Sequence, residues 1–198
     1  MKIFKKLLFL IIPIFLLVGC DSIDINKFSD DYSKDTDKLK NKTISALSDY
    51  LNTEIDEKKF SYNLDYKDAL IEAETNKPIY KGDRLSGTLK EKVKDLGIIS
   101  FVGEFGDKDT LLKLFKLVYT PDGSISETEA KNLAEKFIYE KNLETKDGEL
   151  VFLSKEASKD KSIDVVKFKS KNLDIIKVYV NNYLKEVVGF SLYDTPDF

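Results

Sequence analysis

Groups able to do chemistry are few in this 198-residue chain, which has one cysteine, Cys20, no histidine, no tryptophan, and 35 carboxylates against 32 lysine and arginine side chains. Without an imidazole, a Ser-His-Asp triad or Cys-His pair lacks the base that usually works near neutral pH, and zinc lacks its commonest ligands. Carboxylate pairs, Ser-Lys pairs and hard-cation sites built from oxygen ligands are the chemistries left. The acidic residues run along the whole chain and no spacing singles out a couple, so catalytic residues, cofactor-binding residues and metal ligands are each expected to be none. One segment invites a test against calcium. In Asp122-Gly123-Ser124-Ile125-Ser126-Glu127-Thr128-Glu129 the Asp, Gly, Ile and last Glu match positions five, six, eight and twelve of an EF-hand loop. Positions one and three then fall on Val118 and Thr120, and Val118 has no side-chain oxygen to offer. Helix capping accounts for the same residues: Pro121-Asp122-Gly123 is turn chemistry, and Ser126 with Glu129 is a capping box at a helix start.

Cys20 closes a distinctive N-terminal stretch. Lys2, Lys5 and Lys6 make a positive start, Leu7 through Val18 is apolar, and Gly19-Cys20 supplies small side chains, the three parts of an export signal. The apolar run is too short to cross a bilayer, which takes about 20 residues of helix, and it is broken by Pro13. Leu17-Val18-Gly19-Cys20 resembles the lipobox of bacterial lipoproteins. That resemblance implies cleavage between Gly19 and Cys20, removal of residues 1–19, and a diacylglycerol on the Cys20 sulfur, so that the lipid bilayer itself is a partner and the protein sits on the extracytoplasmic face of the cell membrane. It also explains a cysteine that would otherwise lack a partner after export, and two acyl chains anchor stably where one does not. The remaining chain would carry 29 basic and 35 acidic side chains, a net charge of −6. Such a body has no basic face for neutralising phosphates, and no nucleic-acid partner is expected. Lys90, Lys92 and Lys94 interleave with Glu91 and Asp95 and read as a solvated helix face.

These features must be carried by a tether and about 165 folded residues, within the range of one domain or two small ones. Residues 20–33 are polar and read as the tether, 34–120 as a helical region with a β-hairpin, and 121–198 as an α+β region. Asp30 to Ile55 spaces Leu39, Thr43, Ala46, Leu47, Tyr50 and Leu51 along one helix face. Further helices are expected over Leu64–Glu74 and over Leu85–Leu96, the second ended by Gly97. Ile98–Phe105 and Thr110–Thr120 flank Gly106-Asp107-Lys108-Asp109 as a hairpin. The capped helix Ser126–Asn142 turns Ala130, Leu133, Ala134, Phe137 and Ile138 to one side. Strands follow over Glu149–Leu153, Ile163–Ser170, Leu173–Val180 and Leu184–Tyr193, with Asn181-Asn182 at the positive-φ positions of a tight turn. Alternation puts Leu150 and Phe152, Val166 and Phe168, Ile176, Val178 and Val180, and Val188, Phe190 and Leu192 on one side of their respective strands. The expected class is therefore α+β, helices packed on antiparallel β-meander sheets, with Phe137 and Ile138 against Val178 and Phe190. Tyr179, Tyr183 and Tyr193 fall on or near the opposite face, where cross-strand packing is their ordinary use and a binding platform the other.

Ser126-Glu127-Thr128-Glu129-Ala130 at a helix start, followed by Asp174-Ile175-Ile176-Lys177-Val178-Tyr179-Val180 and Lys185-Glu186-Val187-Val188-Gly189, resembles the PepSY domain of secreted and lipid-anchored bacterial proteins over residues 124–193. Asn182-Tyr183-Leu184 stands where that family often has a Thr-Gly turn. The resemblance implies a noncatalytic module that restrains proteases or binds surface partners; residues 84–120 leave open whether a divergent first copy precedes it. Address, acidity and missing chemistry together lead to a membrane-anchored surface lipoprotein, not an enzyme, whose partner is an envelope or surface protein. Two other classes stand beside it: a small-ligand or envelope-carbohydrate receptor using the tyrosine face, and a carboxylate-based cell-wall hydrolase.

Overall fold

In the computed structural model the described residues are 25–71, 78–92, 95–106, 109–144, 149–158 and 161–193. Contacts divide the chain into Met1–Asp35 and Thr36–Phe198. In the first of these, residues 25–35 are helical; all that follows concerns the second. The apolar stripe of the first helix, α1 (Ile25–Leu51), is buried as its spacing predicts: Leu39, Thr43, Ala46, Leu47 and Leu51 are inaccessible and Tyr50 is half-buried against the same core. Asn52 ends the helix in the left-handed region (φ 48°), its N–H reaching the Ser48 carbonyl at 3.1 Å, a role that asparagine fills with little strain. The second helix, α2 (Glu127–Glu140), opens on Ser126, whose hydroxyl accepts from the Glu129 N–H at 3.2 Å. It closes on Asn142 (φ 52°), with Leu143 N–H to Ile138 O and Asn142 N–H to Tyr139 O, the paired bonds of a Schellman cap with Leu143 packed into the core behind it.

Eight strands make one antiparallel sheet: β1 (Phe60–Ile71), β2 (Pro78–Leu89), β3 (Gly97–Phe105), β4 (Leu111–Tyr119), β5 (Val151–Ala157), β6 (Ile163–Lys169), β7 (Ile176–Asn181) and β8 (Glu186–Ser191), in the order β1-β2-β3-β4-β8-β7-β6-β5. The class is α+β. The hairpin expected at 98–120 is β3–β4, and the four strands expected after α2 form the meander β5 to β8. Two expected helices are strands instead. Leu64–Glu74 lies mostly in β1, and Leu85–Leu96 begins in β2, with Leu96 exposed in the following bend and Gly97 starting β3 rather than capping a helix. A four-residue interval such as Leu85 to Leu89 satisfies both periods. Phe60 and Leu64, buried with exposed Ser61 and Asn63 between them, carry the period of two, and Gly82 and Gly87 disfavour helix across β2.

Each half thus reads helix then four-stranded meander, α1-β1-β2-β3-β4 and α2-β5-β6-β7-β8, a larger and differently placed correspondence than the one considered at residues 84–120. The halves join along β4 and β8 through three ladder pairs, Lys113↔Ser191, Leu114↔Phe190 and Phe115↔Gly189, extended by the Leu192 N–H to Leu112 O bond at 2.8 Å. Both helices cover one face of the sheet. Tyr50 of α1 and Phe137 of α2 meet Phe190, with ring centroids 5.3 and 5.9 Å away, and Val166, Phe168, Ile176, Val178 and Ile138 fill the same core. Lys141 Nζ at the end of α2 donates to the Asp49 carbonyl of α1. A second core, with Val102, Phe115, Val118, Ile163, Val165, Tyr179 and Val188, lies on the helix-free face. Val188 belongs there and not with Phe190: the register shifts between Tyr179↔Gly189 and Val180↔Val187, and the extra residue of this bulge turns it over. At the β7–β8 turn the positive φ is at Lys185 (53°), while Asn181 Oδ1 accepts from the Tyr183 and Leu184 N–H groups at 3.1 and 2.9 Å. Neither Asn181 nor Asn182 takes the expected positive φ; Asn181 instead caps the turn through its side chain.

Candidate functional site

Cys20, Gly19 and the cleavage site lie outside the described residues, as do Lys2, Lys5 and Lys6. No described helix is long and apolar enough to cross a membrane. Among the described residues no three His, Cys, Asp or Glu side chains gather as metal ligands. The stretch tested against calcium is occupied otherwise: Val118 is buried in the second core, Ser126 caps α2, and the Glu129 carboxylate accepts from Lys185 Nζ at 3.0 and 3.3 Å.

On the helix-free face the described residues form a lined groove, and a separate hollow of about 540 Å³ opens beside Phe60, Leu89 and Ile98. Five strand steps separate β2 from β6, about 24 Å in a flat sheet at ~4.8 Å per step. Yet Arg84, Ser86 and Thr88 of β2 and Ile163 of β6 line a single cavity of about 310 Å³. The sheet must curl to bring them together, and the curl makes a groove. One wall is hydroxyl-bearing, with Ser86, Thr88 and Ser100; the other is apolar, with Phe115, Leu117, Ile163 and Tyr179; Ser158 comes from the end of β5. Phe115 and Tyr179 meet edge to face, centroids 5.2 Å apart at 70°. They sit on β4 and β7, on either side of β8, and touch because Gly189 lies between them. A Cβ at that position would stand 2.5 Å from the Leu114 carbonyl oxygen and 2.8 Å from the Phe115 Cα. Gly87 plays the same part in β2, where Tyr62 and Phe101 meet across it at 6.2 Å.

Beside the groove a row of polar residues in cross-strand register crosses the sheet: Arg84↔Glu104, Glu104↔Lys113, Lys113↔Ser191, Ser191↔Lys177, Lys177↔Lys167. Glu104, Lys113, Lys177 and Ser191 are buried. Burial of charge at this level requires compensation. Arg84 Nε lies 3.5 Å from Glu104 Oε1, Lys113 Nζ sits 5.9 Å from the Tyr179 ring centroid, and Lys167 Nζ donates to Glu156 Oε2 at 2.7 Å. The bonds from Lys167, first, and Ser154 hold the Glu156 carboxyl below its usual range. Of the three tyrosines expected on the opposite face, Tyr179 is fully buried and packs cross-strand, Tyr193 is buried, and Tyr183 stands exposed in the β7–β8 turn. They do not make a shared platform. Sequence reasoning missed Ser86 and Thr88 because it placed them in a helix over Leu85–Leu96, and it singled out neither Arg84 before that helix nor Ser100 in the strand expected over Ile98–Phe105; the alternation of Arg84, Ser86 and Thr88 with Leu85 and Gly87 was the available signal.

Comparisons with known proteins assign no family. No family model and no curated protein matches the sequence. Among solved structures the chain is similar to the Bacillus megaterium YpeB C-terminal domain, with 15% identity over 80% of this chain and 67% of that one and a TM-score of 0.49. A similarity of that size assigns neither family nor function.

Proposed function

We propose that this chain is a bacterial surface lipoprotein, anchored through acylated Cys20 on the extracytoplasmic face of the cell membrane, whose folded body is a noncatalytic protein-interaction module. The anchor rests on Leu17-Val18-Gly19-Cys20 behind a basic and apolar leader. The interaction role rests on the sheet having one face covered by both helices and the other curled into a lined groove. With histidine absent and the lone cysteine assigned to lipid, that groove has hydroxyls and an arginine to bind with and no base near neutral pH. Metabolic labelling with a palmitate analogue tests the anchor: wild type takes up label and Cys20→Ala does not, and equal labelling of the two rejects it. Crosslinking in intact cells tests the module, which requires a captured envelope or surface protein.

A small-ligand receptor is the second reading, favoured by the groove volume of about 310 Å³, at the lower end of the ~300–1,000 Å³ typical of ligand pockets. Thermal-shift screening with envelope fragments separates the two, because a saturating ligand raises the melting temperature by mass action.

A further inference from the structure

We propose that the helix-free groove takes an extended acidic and apolar peptide segment of the partner, an inference that rests on the interaction-module reading and gives it a site. The walls decide the class of ligand. A sugar would need an aromatic face to stack on, but Phe115 and Tyr179 are 5% and 0% exposed and spend their ring surfaces on each other. Among the described lining residues there is also no Asp, Asn, Glu or Gln to grip vicinal hydroxyls. An acyl chain would leave the hydroxyls of Ser86, Thr88 and Ser100 facing hydrocarbon, at a cost in unmade hydrogen bonds. An extended peptide suits both walls. Its backbone N–H and C=O groups exchange hydrogen bonds with the hydroxyls, which both donate and accept, and its side chains alternate, so that every second one meets the apolar wall at the half-buried Leu117.

Charge sets the polarity of the segment. Arg84 is the charged residue among those lining the groove. Its Nε is buried and makes no hydrogen bond among the described residues, with Glu104 Oε1 at 3.5 Å beside it. The side chain is 28% exposed, so its terminal nitrogens can reach a carboxylate, which a guanidinium binds in a fork. The partner segment therefore carries Glu or Asp next to aliphatic residues.

Fluorescence anisotropy on the full chain in detergent, with a labelled hexapeptide of alternating Glu and Leu, tests this against the Lys-Leu counterpart and against chitotetraose. The expected result is saturable binding of the Glu-Leu peptide, weakened about tenfold by Arg84→Gln and abolished by the groove-filling Ser100→Phe, with no comparable binding of the Lys-Leu peptide. Far-ultraviolet melts accompany both variants, and Arg84→Gln, at a partly exposed position, keeps the test open if Ser100→Phe unfolds. Equal affinity for the two peptides, unchanged affinity in Arg84→Gln, or chitotetraose binding in place of the peptide overturns the proposal. Cell crosslinking separates the two levels: capture of the same partner by wild type, Arg84→Gln and Ser100→Phe overturns the groove and leaves the module standing, whereas no capture by wild type overturns the module itself.

Discussion

Replacing Gly189 by alanine isolates the seam that makes one sheet of two meanders. In an ordinary strand this exchange stabilises, by about 0.4–1 kcal/mol, because glycine has more freedom to lose on folding. Here the added methyl would lie 2.5 Å from the Leu114 carbonyl oxygen and 2.8 and 2.9 Å from the Phe115 Cα and Cδ2. The first two contacts are with backbone and cannot be relieved by a rotamer change, so β4 and β8 must separate at a junction of three residue pairs. Overpacking of this kind costs about 1–3 kcal/mol, which at ~2–4 °C per kcal/mol for a chain of this size lowers the melting temperature by about 2–12 °C. Gly106→Ala is the control, since its methyl meets first the Leu112 Cδ1 at 2.8 Å, the far end of a side chain that can turn away. Circular-dichroism melts of the two variants decide the matter. If Gly189→Ala melts at or above the temperature of Gly106→Ala, the close approach at the seam is not a constraint and the account of how the halves join is wrong.

Other expectations follow from single contacts. Ser126→Ala removes the acceptor for the Glu129 N–H and should cost about 1 kcal/mol; Ser126→Asp should restore the melting temperature, and a variant as stable as wild type would show the cap to be idle. Glu144 is buried and accepts from the Ser170 hydroxyl and, at 2.8 Å, from Asn172 Nδ2, so Glu144→Leu should lose about 1–3 kcal/mol through the donors left unpaired, read as a lower urea midpoint at unchanged slope. Hydrogen bonds from Lys42 and Lys167 respectively hold Asp109 and Glu156 below the usual carboxylate range, and a folded-state pKa lower than the unfolded one gives stability that is present above the unfolded value of about 4 and lost as pH falls through the folded one. Melts between pH 2 and 7 should therefore fall less steeply for the double variant Asp109→Asn, Glu156→Gln than for wild type, and identical slopes would refute the assignment. Lys40 runs the other way, its pKa raised by bonds to Asp37 and then Glu57, so its contribution is present below the ordinary lysine value of about 10.4 and lost as pH rises through the folded one; Lys40→Met should show a flatter alkaline limb.

Local chemistry alone settled part of this protein. Leu39, Thr43, Ala46, Leu47 and Leu51 mark α1 because their spacing fits a helix and nothing else over that length, and Ser126 marks the start of α2 because a hydroxyl is needed for orphan amides. The β3–β4 hairpin was legible through strand-forming residues on either side of a turn and the strands after α2 through alternation, and the poverty in imidazole and thiol is a property of composition that no fold can change. Tertiary structure decided the rest. Residues 60–89 carry intervals compatible with helix or strand, and only pairing of β1 with β2 and β2 with β3 chose between them. Lys113 and Lys116 stand three apart on β4, hence on opposite faces, and both are buried, Lys113 over the Tyr179 ring on the curled face and Lys116 with its Nζ donating to Thr53 Oγ1 beyond the end of α1. The groove depends on that same curl: Ser100 and Ile163 line one wall each although 63 positions apart, and long-range curvature, unlike a cap or a stripe, is not written in any short window of residues.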